Sequence, residues 1–190
     1  MKLINFLYLV IGVIVIYTST FVSVEIKGIG VPITGQSLVV LIIAYLLPKN
    51  WGVFAVITYV IIGMLGLPVF ADGASGMETI IGNSGGYIYG FIFSALVILW
   101  FRKFKNAYSF KFILLGMLLG TLVILLFGFL HLSYRIGCNN AFVYGVQPFI
   151  IGGFIKIILG AFFVWFWNKN TFIQRFIKRI TMRKNHYPKK

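Results

Sequence analysis

Residues 112–132 read FILLGMLLGTLVILLFGFLHL, a stretch that contains no Asp, Glu, Lys or Arg. An α-helix rises 1.5 Å per residue, so a stretch of this length can cross roughly 30 Å of hydrocarbon. The whole chain shares this character, because 60% of its 190 residues are hydrophobic and only 11% are charged. So few charges cannot cover a soluble surface, which excludes a soluble enzyme domain, a disordered tail and a nucleic-acid-binding module. We therefore predict an integral membrane protein.

Five further apolar segments accompany this stretch, at residues 3–24, 33–47, 51–67, 86–101 and 148–167. We interpret the first as an uncleaved helix rather than a signal peptide, because its apolar part is long and no small-residue cleavage signal follows it. The four tryptophans lie near segment ends, as expected of an aromatic belt. The predicted fold is an all-α membrane protein, in which residues 1–168 form a six-transmembrane-helix bundle.

The basic residues are divided unequally between the two sides of this predicted bundle. Fourteen of the 17 Lys and Arg residues lie on the side that holds both termini, whereas Lys27 and Arg135 lie on the other side and Lys156 lies within a span. Basic residues accumulate on the cytoplasmic side of membrane proteins. We therefore predict a multi-pass protein of the cell membrane with both termini in the cytoplasm, and with the loops at 28–35 and 68–85 outside.

The C-terminal tail, residues 169–190, is strongly basic and carries apolar side chains every four residues at Phe172, Phe176 and Ile180. This spacing predicts an amphipathic helix that lies on an anionic cytoplasmic leaflet. The alternative is a frayed basic tail that only fixes the topology.

Lys156 is the first candidate functional residue, because it lies eight residues into the last predicted span. That position is about 12 Å deep at the standard helical rise. Lysines buried so deeply in a membrane usually face a cavity or a partner, and no Asp or Glu lies within one turn of this one. An anionic ligand is therefore the predicted counter-ion. The alternative is a neutral lysine, or one bonded to backbone carbonyls.

The loop at 68–85 and the start of the fourth span provide the next candidates. Gly85 and Gly86 would let the backbone approach a ligand, and they open a helix whose N-terminus attracts a carboxylate. Asn83 can both donate and accept hydrogen bonds, and Tyr87 offers a flat apolar face with a hydroxyl end. Residues 30–36 form a second shaped loop, in which Gln36 is predicted to close over a pocket as part of a lid. The alternative is a pair of ordinary connections, in which the glycines serve tight packing.

No catalytic motif is recognisable in the chain. It contains no Walker A, GxSxG or HExxH sequence, so neither ATP hydrolysis by that route nor these hydrolase chemistries are expected. Its single cysteine, Cys138, and its two histidines, His131 in a predicted loop and His186 in the tail, do not form a metal-ligand pattern. We predict neither an enzyme nor a metal or cofactor site.

Four motifs in this order resemble the BioY family over roughly residues 28–162. They are VPITGQ at 31–36, LGLPVFA at 65–71, Gly82-x-x-Gly-Gly-Tyr-x-x-Gly-Phe91, and Ala141-x-x-x-Gly-Val-x-Pro-Phe-x-x-Gly-x-x-x-Lys156. Members of that family are membrane-embedded biotin-binding proteins, the substrate-specific (S) components of energy-coupling factor (ECF) transporters. The family's last motif usually reads Gly-Asp-x-x-Lys, and here Gly153 stands at the Asp position.

The resemblance implies a six-helix bundle with an outward-facing pocket that binds biotin and passes it inward. It implies as partners the membrane lipid, a transmembrane coupling protein and two ATP-binding subunits, with no role for nucleic acid. The ligand-binding residues that it implies, together with the residue chemistry above, are Gln36, Asn83, Gly85, Gly86, Tyr87 and Lys156. Two alternatives remain open: a binder of another small carboxylate vitamin or precursor, and a membrane scaffold protein that transports nothing.

Overall fold

The computed structural model describes residues 2–24 and 31–170 and shows a chain that is mostly helical. Two short strands, β1 (Ser23–Val24) and β2 (Ile33–Thr34), pair antiparallel, and one-turn 3-10 segments occupy Ser19–Phe21 and Ala71–Gly73. Of the predicted tail, residues 171–190 lie outside the described residues. The helices are α1 (Lys2–Thr18), α2 (Gln36–Leu46), α3 (Trp51–Met64), α4 (Gly76–Ile81), α5 (Gly85–Phe101), α6 (Phe110–Ile136), α7 (Cys138–Gly145) and α8 (Gln147–Lys169).

Each of the six predicted apolar segments overlaps one α-helix, although their lengths differ. Within the described residues, three stretches are long and apolar enough to cross a membrane by length and composition, namely Leu3–Phe21, Phe110–Ile136 and Cys138–Lys169. The helices α2, α3 and α5 are apolar but shorter. The first segment is not a single α-helix to residue 24, because α1 ends at Thr18 and a 3-10 turn and β1 follow.

Two short helices occupy regions that the sequence pattern left as loops. Helix α4 lies within the predicted loop at 68–85, and α7 lies between α6 and α8. Both are too short and too polar to produce an apolar run, and α7 follows Gly137, whose φ of 82° breaks the helical path. His131, predicted to lie in a loop, lies within α6, which continues to Ile136.

Helices α5 and α6 pack closely because glycines remove side chains from their contact. A Cβ placed on Gly90 would lie 2.8 Å from the Cα of Ile124. A Cβ placed on Gly128 of α6 would likewise clash, in this case with the ring of Tyr87. Small residues at such positions let helix backbones approach each other, which is the usual basis of helix association in membranes.

The outward faces of several helices are apolar. Leu3 and Phe6 of α1 are 63% and 60% exposed, and Ile151 and Phe154 of α8 are 76% and 60% exposed. An apolar surface of this kind is stable against lipid chains and unstable against water. Several polar side chains lie inside instead, and Gln36 and Ser94 among them are almost fully buried.

Candidate ligand-binding site

A cavity of about 300 Å³ lies between α2, α5, α6 and α8, next to the segments that precede α2 and α4. Its wall is mainly apolar, with Leu41, Phe91, Met117, Ile124 and Phe149 among its lining residues. A few polar side chains interrupt this wall. Small-molecule sites commonly combine apolar walls with a few polar groups that orient the ligand. The polar and charged lining residues are Thr34, Gln36, Ser37, Asp72, Thr79, Asn83, Ser84, Tyr87, Thr121 and Lys156.

Four of the six residues selected from the sequence line this cavity: Gln36, Asn83, Tyr87 and Lys156. Gly85 and Gly86 do not belong to its lining. A Cβ on Gly85 would lie 2.7 Å from the carbonyl carbon of Ile80, and one on Gly86 would lie 3.0 Å from the Cα of Gly128. Both glycines thus lie where a side chain would meet a neighbouring backbone, and they let α4 and α6 approach the start of α5.

Lys156 reaches from α8 to the corner that joins β2 to α2. Its Nζ donates hydrogen bonds to the carbonyl oxygen of Thr34 at 2.6 Å and to Oγ of Ser37 at 3.3 Å. Both acceptors are neutral, and among the described residues that line the cavity Lys156 is the only cation. Lys156 thus makes a carbonyl contact, which was one of the predicted alternatives, and it also lies on the cavity wall. The ammonium group remains a suitable partner for an anion.

One turn before Lys156, the same face of α8 has open space next to it. Gly153 also lines the cavity, and a Cβ placed on it would meet no atom nearer than Cγ2 of Thr121, at 3.9 Å. Residues at positions i and i+3 of a helix are neighbours, so this space adjoins Lys156. The cavity therefore has room beside its cation.

Gln36 is the first residue of α2 and is buried at 4% exposure. Its amide oxygen accepts a hydrogen bond from Oγ1 of Thr34 at 3.0 Å, and its amide nitrogen donates to the hydroxyl of Tyr59 on α3. The Tyr59 hydroxyl in turn donates to the carbonyl of Val69 at 2.7 Å. Gln36 thus joins the cavity wall to α3 and to the segment that follows α3.

Tyr87 contributes its ring to the cavity and uses its hydroxyl elsewhere. The hydroxyl donates to the carbonyl of Gly145 in α7 at 2.6 Å. The ring stacks on Phe149 of α8, with centroids 5.6 Å apart and an interplanar angle of 25°. These contacts make Tyr87 and Phe149 one aromatic wall that links α5, α7 and α8.

Asn83 lies in the turn between α4 and α5, and two side chains of α6 hold this turn. Nε of Arg135 donates to Oδ1 of Asn83 at 2.9 Å, and Nη1 of Arg135 donates to the carbonyl of Ile81 at 2.8 Å. Nε2 of His131 lies 2.9 Å from the carbonyl oxygen of Gly82, which requires the ring nitrogen to be the donor.

The sequence did not point to His131, Arg135 or Asp72 as candidate site residues. The spacing of His131 and Arg135, four residues apart and therefore on one helical face, was the available signal. Asp72 lines the cavity and accepts a hydrogen bond from Oγ of Ser23 at 2.8 Å, which connects the segment before α4 to β1.

The profile of the BioY family matches residues 1–171. The chain belongs to the BioY family. Its relatives include the biotin transporter BioY of Thermotoga maritima, which is 36% identical over 132 residues, covering 69% of this chain and 77% of the relative. The probable biotin transporter BioY of Pyrococcus horikoshii is 34% identical over 77% of this chain and 86% of the relative.

The fold of this BioY family member is also found in a solved structure. A crystal structure of the S-component for biotin from an ECF-type ABC transporter matches with a TM-score of 0.80 and 27% sequence identity. The match covers 89% of this chain and 93% of the other. The chain is therefore a membrane protein with the fold of a transporter S component, and the family predicted from its motifs is confirmed.

Proposed function

We propose that this chain is the membrane-embedded substrate-binding component of a biotin uptake transporter. The observation that carries the proposal is a largely apolar cavity with Lys156 on its wall, found within the fold of the BioY family. The chain binds and delivers its ligand and catalyses no chemical change. No cofactor is part of the proposal.

Biotin has an apolar thioether ring and chain, a carboxylate and a polar ureido ring, and each has a counterpart in the cavity. The aromatic wall of Tyr87 and Phe149 and the aliphatic residues of α2, α5 and α6 suit the apolar parts. Lys156 suits the carboxylate, since hydrogen bonds to charged groups are the stronger ones. Asn83 suits a group of the ligand that needs an amide partner. Gln36 holds the β2–α2 corner against the bound ligand, whereas Gly85 and Gly86 act by setting the position of α5.

We also propose that α1, α2, α3, α5, α6 and α8 are the six membrane-crossing elements, with both termini in the cytoplasm and the cavity open to the outside. The charge asymmetry supports this orientation, because Arg102, Lys103, Lys105 and Lys111 all follow α5 on the side assigned to the cytoplasm. The shorter helices would complete their crossings with the adjoining turns. Residues 169–190 are proposed to contact anionic lipid on the same side.

The energy for uptake must come from other subunits. We propose a transmembrane coupling protein and two ATP-binding subunits as the partners, in keeping with the ECF-type transporter to which the solved S-component belongs. The apolar outer faces of α1 and α8 are surfaces that lipid or such a coupling protein can cover.

Equilibrium binding of radiolabelled biotin to the purified chain in lipid nanodiscs tests the proposal. We expect saturable binding at one site per chain, with displacement by unlabelled biotin. Saturable binding of another small carboxylate vitamin without biotin binding would identify the chain as an S component for a different ligand. The open space beside Gly153 favours this different ligand as the second candidate, because it could hold a molecule of another shape. No binding by any member of a vitamin panel would contradict both and favour a scaffold protein.

A further inference from the structure

The turn that carries Asn83 is held by a clamp from α6, made of Arg135 and His131. Arg135 lies in the last turn of α6 and bonds both the Asn83 side chain and the Ile81 carbonyl, while His131 bonds the Gly82 carbonyl. The two clamp residues are one helical turn apart, so they reach the α4–α5 turn from the same face of α6. Arg135 is exposed and does not belong to the cavity lining, whereas Asn83 does.

The chemistry of the clamp fixes which end of the Asn83 amide faces α6. A guanidinium group has only donors, so the amide atom that faces Nε of Arg135 must be the oxygen. A rotation of the amide by half a turn would bring its NH2 group against the guanidinium, where two donors would meet. The amide nitrogen therefore occupies the other arm of the planar group and does not face the guanidinium. Loss of Arg135 removes this constraint on the orientation of the amide.

We infer that Arg135 is a positioning residue for the ligand: through Asn83 it fixes the amide so that the nitrogen donates to an acceptor oxygen of the ligand. The inference rests on the proposed function. In biotin, the acceptor is either the ureido oxygen or a carboxylate oxygen. Arg135 itself does not touch the ligand, and its effect on affinity passes through one side chain.

A double-mutant cycle with Arg135→Met and Asn83→Ala tests this coupling, with biotin as the probe. A hydrogen bond to a charged or well-ordered partner changes affinity by about tenfold, because 1.4 kcal/mol corresponds to that factor. We expect Arg135→Met to weaken biotin binding roughly fivefold to tenfold in the wild-type background. In the Asn83→Ala background the same change is expected to weaken it by no more than about twofold. Arg135→Lys, which keeps one charged donor, should restore part of the affinity.

Two analogues distinguish the possible acceptor oxygens. In 2-iminobiotin a nitrogen replaces the ureido oxygen, and in biotin amide a nitrogen replaces one carboxylate oxygen. If the ureido oxygen meets Asn83, the preference of the wild-type chain for biotin over 2-iminobiotin should shrink several-fold in Arg135→Met. If a carboxylate oxygen meets Asn83, the preference for biotin over biotin amide should shrink instead.

Arg102→Met is the matched control, because Arg102 also bonds two backbone carbonyls, those of Ala44 and Lys49, but at the opposite end of α5. It should leave biotin affinity within about twofold of wild type. If the wild-type chain binds biotin, three results would overturn the inference. They are an equal loss of affinity from Arg135→Met in both backgrounds, no loss of affinity in either, and unchanged preferences for both analogues. A wild-type chain that fails to bind biotin would instead contradict the proposed function on which the inference rests.

Discussion

At the scale of single residues, Lys156 combines a contact with the protein backbone and a position on the cavity wall. It bonds the Thr34 carbonyl and the Ser37 hydroxyl, and it also lines the cavity. An ammonium group has three N–H donors, so a contact with a ligand anion is compatible with both protein contacts. A ligand that approaches Lys156 is then also close to the β2–α2 corner.

Lys156→Ala is expected to weaken biotin binding at least about tenfold, because a hydrogen bond to a charged group contributes roughly 1.5–3 kcal/mol. Equilibrium binding in nanodiscs measures the change. Lys111→Ala is the control, since Lys111 is an exposed lysine at the start of α6 outside the cavity lining. Wild-type affinity in a folded Lys156→Ala protein would remove Lys156 from the site.

For Gln36, the structure shows which neighbouring side chains it contacts. Its side chain holds the β2–α2 corner through Thr34 and Tyr59, so its loss leaves two buried polar groups without this partner. Gln36→Ala is expected to raise the rate of biotin release more than it lowers the rate of association, as is usual for changes at a formed contact. Stopped-flow or filter-binding chase experiments measure both rates.

Tyr59→Phe separates the two ways in which Gln36 can act. Tyr59 is outside the cavity lining, and this change removes its hydroxyl while the Gln36 side chain stays. Faster release in both variants indicates that Gln36 acts by anchoring the corner, whereas faster release in Gln36→Ala alone indicates direct contact. Unchanged release in both would contradict a role of Gln36 in retaining the ligand.

At the scale of elements, the contact between α5 and α6 determines where Tyr87 and the Asn83 turn lie relative to the cavity. Gly90 lets the two helices approach, since a Cβ placed on it would lie only 2.8 Å from the Ile124 Cα. Because a backbone atom cannot turn aside as a flexible side chain can, an added methyl group there must push the helices apart.

Gly90→Ala is therefore expected to lower the apparent melting temperature of the purified protein, with a cost of about 1–3 kcal/mol for overpacking. Gly152→Ala is the matched control, because a Cβ on Gly152 meets no atom within 4 Å. It should melt like the wild type. Thermal unfolding in detergent, followed by tryptophan fluorescence, compares the two. Equal melting of both variants would show that the α5–α6 contact tolerates a side chain at Gly90.

The same reasoning changes the expectation for Gly85. The sequence placed Gly85 beside the ligand, a position from which a valine side chain would fill the pocket. In the structure a side chain at Gly85 meets the Ile80 backbone instead, so any loss of binding would come through displacement of α4. A lowered melting temperature together with the loss of binding is the expected signature of that displacement.

At the scale of the whole molecule, the topology can be tested directly. Single cysteines at Ser75 and Asn106, in a Cys138→Ser background, are expected to react with membrane-impermeant maleimide from opposite sides of the membrane. The reason is the distribution of Lys and Arg, with fourteen residues on one side and two on the other. Labelling of intact cells and of inverted vesicles measures the side of each cysteine. Reaction of both positions from the same side would contradict the six-span arrangement.

The membrane character, the approximate positions of the six apolar helices and the family could all be predicted from the order of the amino acids. These properties are local: an apolar run such as residues 112–132 is recognisable without any knowledge of its neighbours. The order and spacing of short motifs are equally readable along the chain. The sequence also selected four residues that line the cavity, because deep charge and amide chemistry stand out in an apolar chain.

The contacts inside the bundle, in contrast, became known only from the packing of the folded chain. The bond from Lys156 to Thr34 joins residues 122 positions apart, and that from Arg135 to Asn83 joins residues 52 positions apart. Whether a glycine such as Gly85 lines a cavity or lies against a backbone carbonyl likewise depends on which helix is placed beside it. Such contacts arise from the packing of several helices at once, and no periodicity within one segment can specify them.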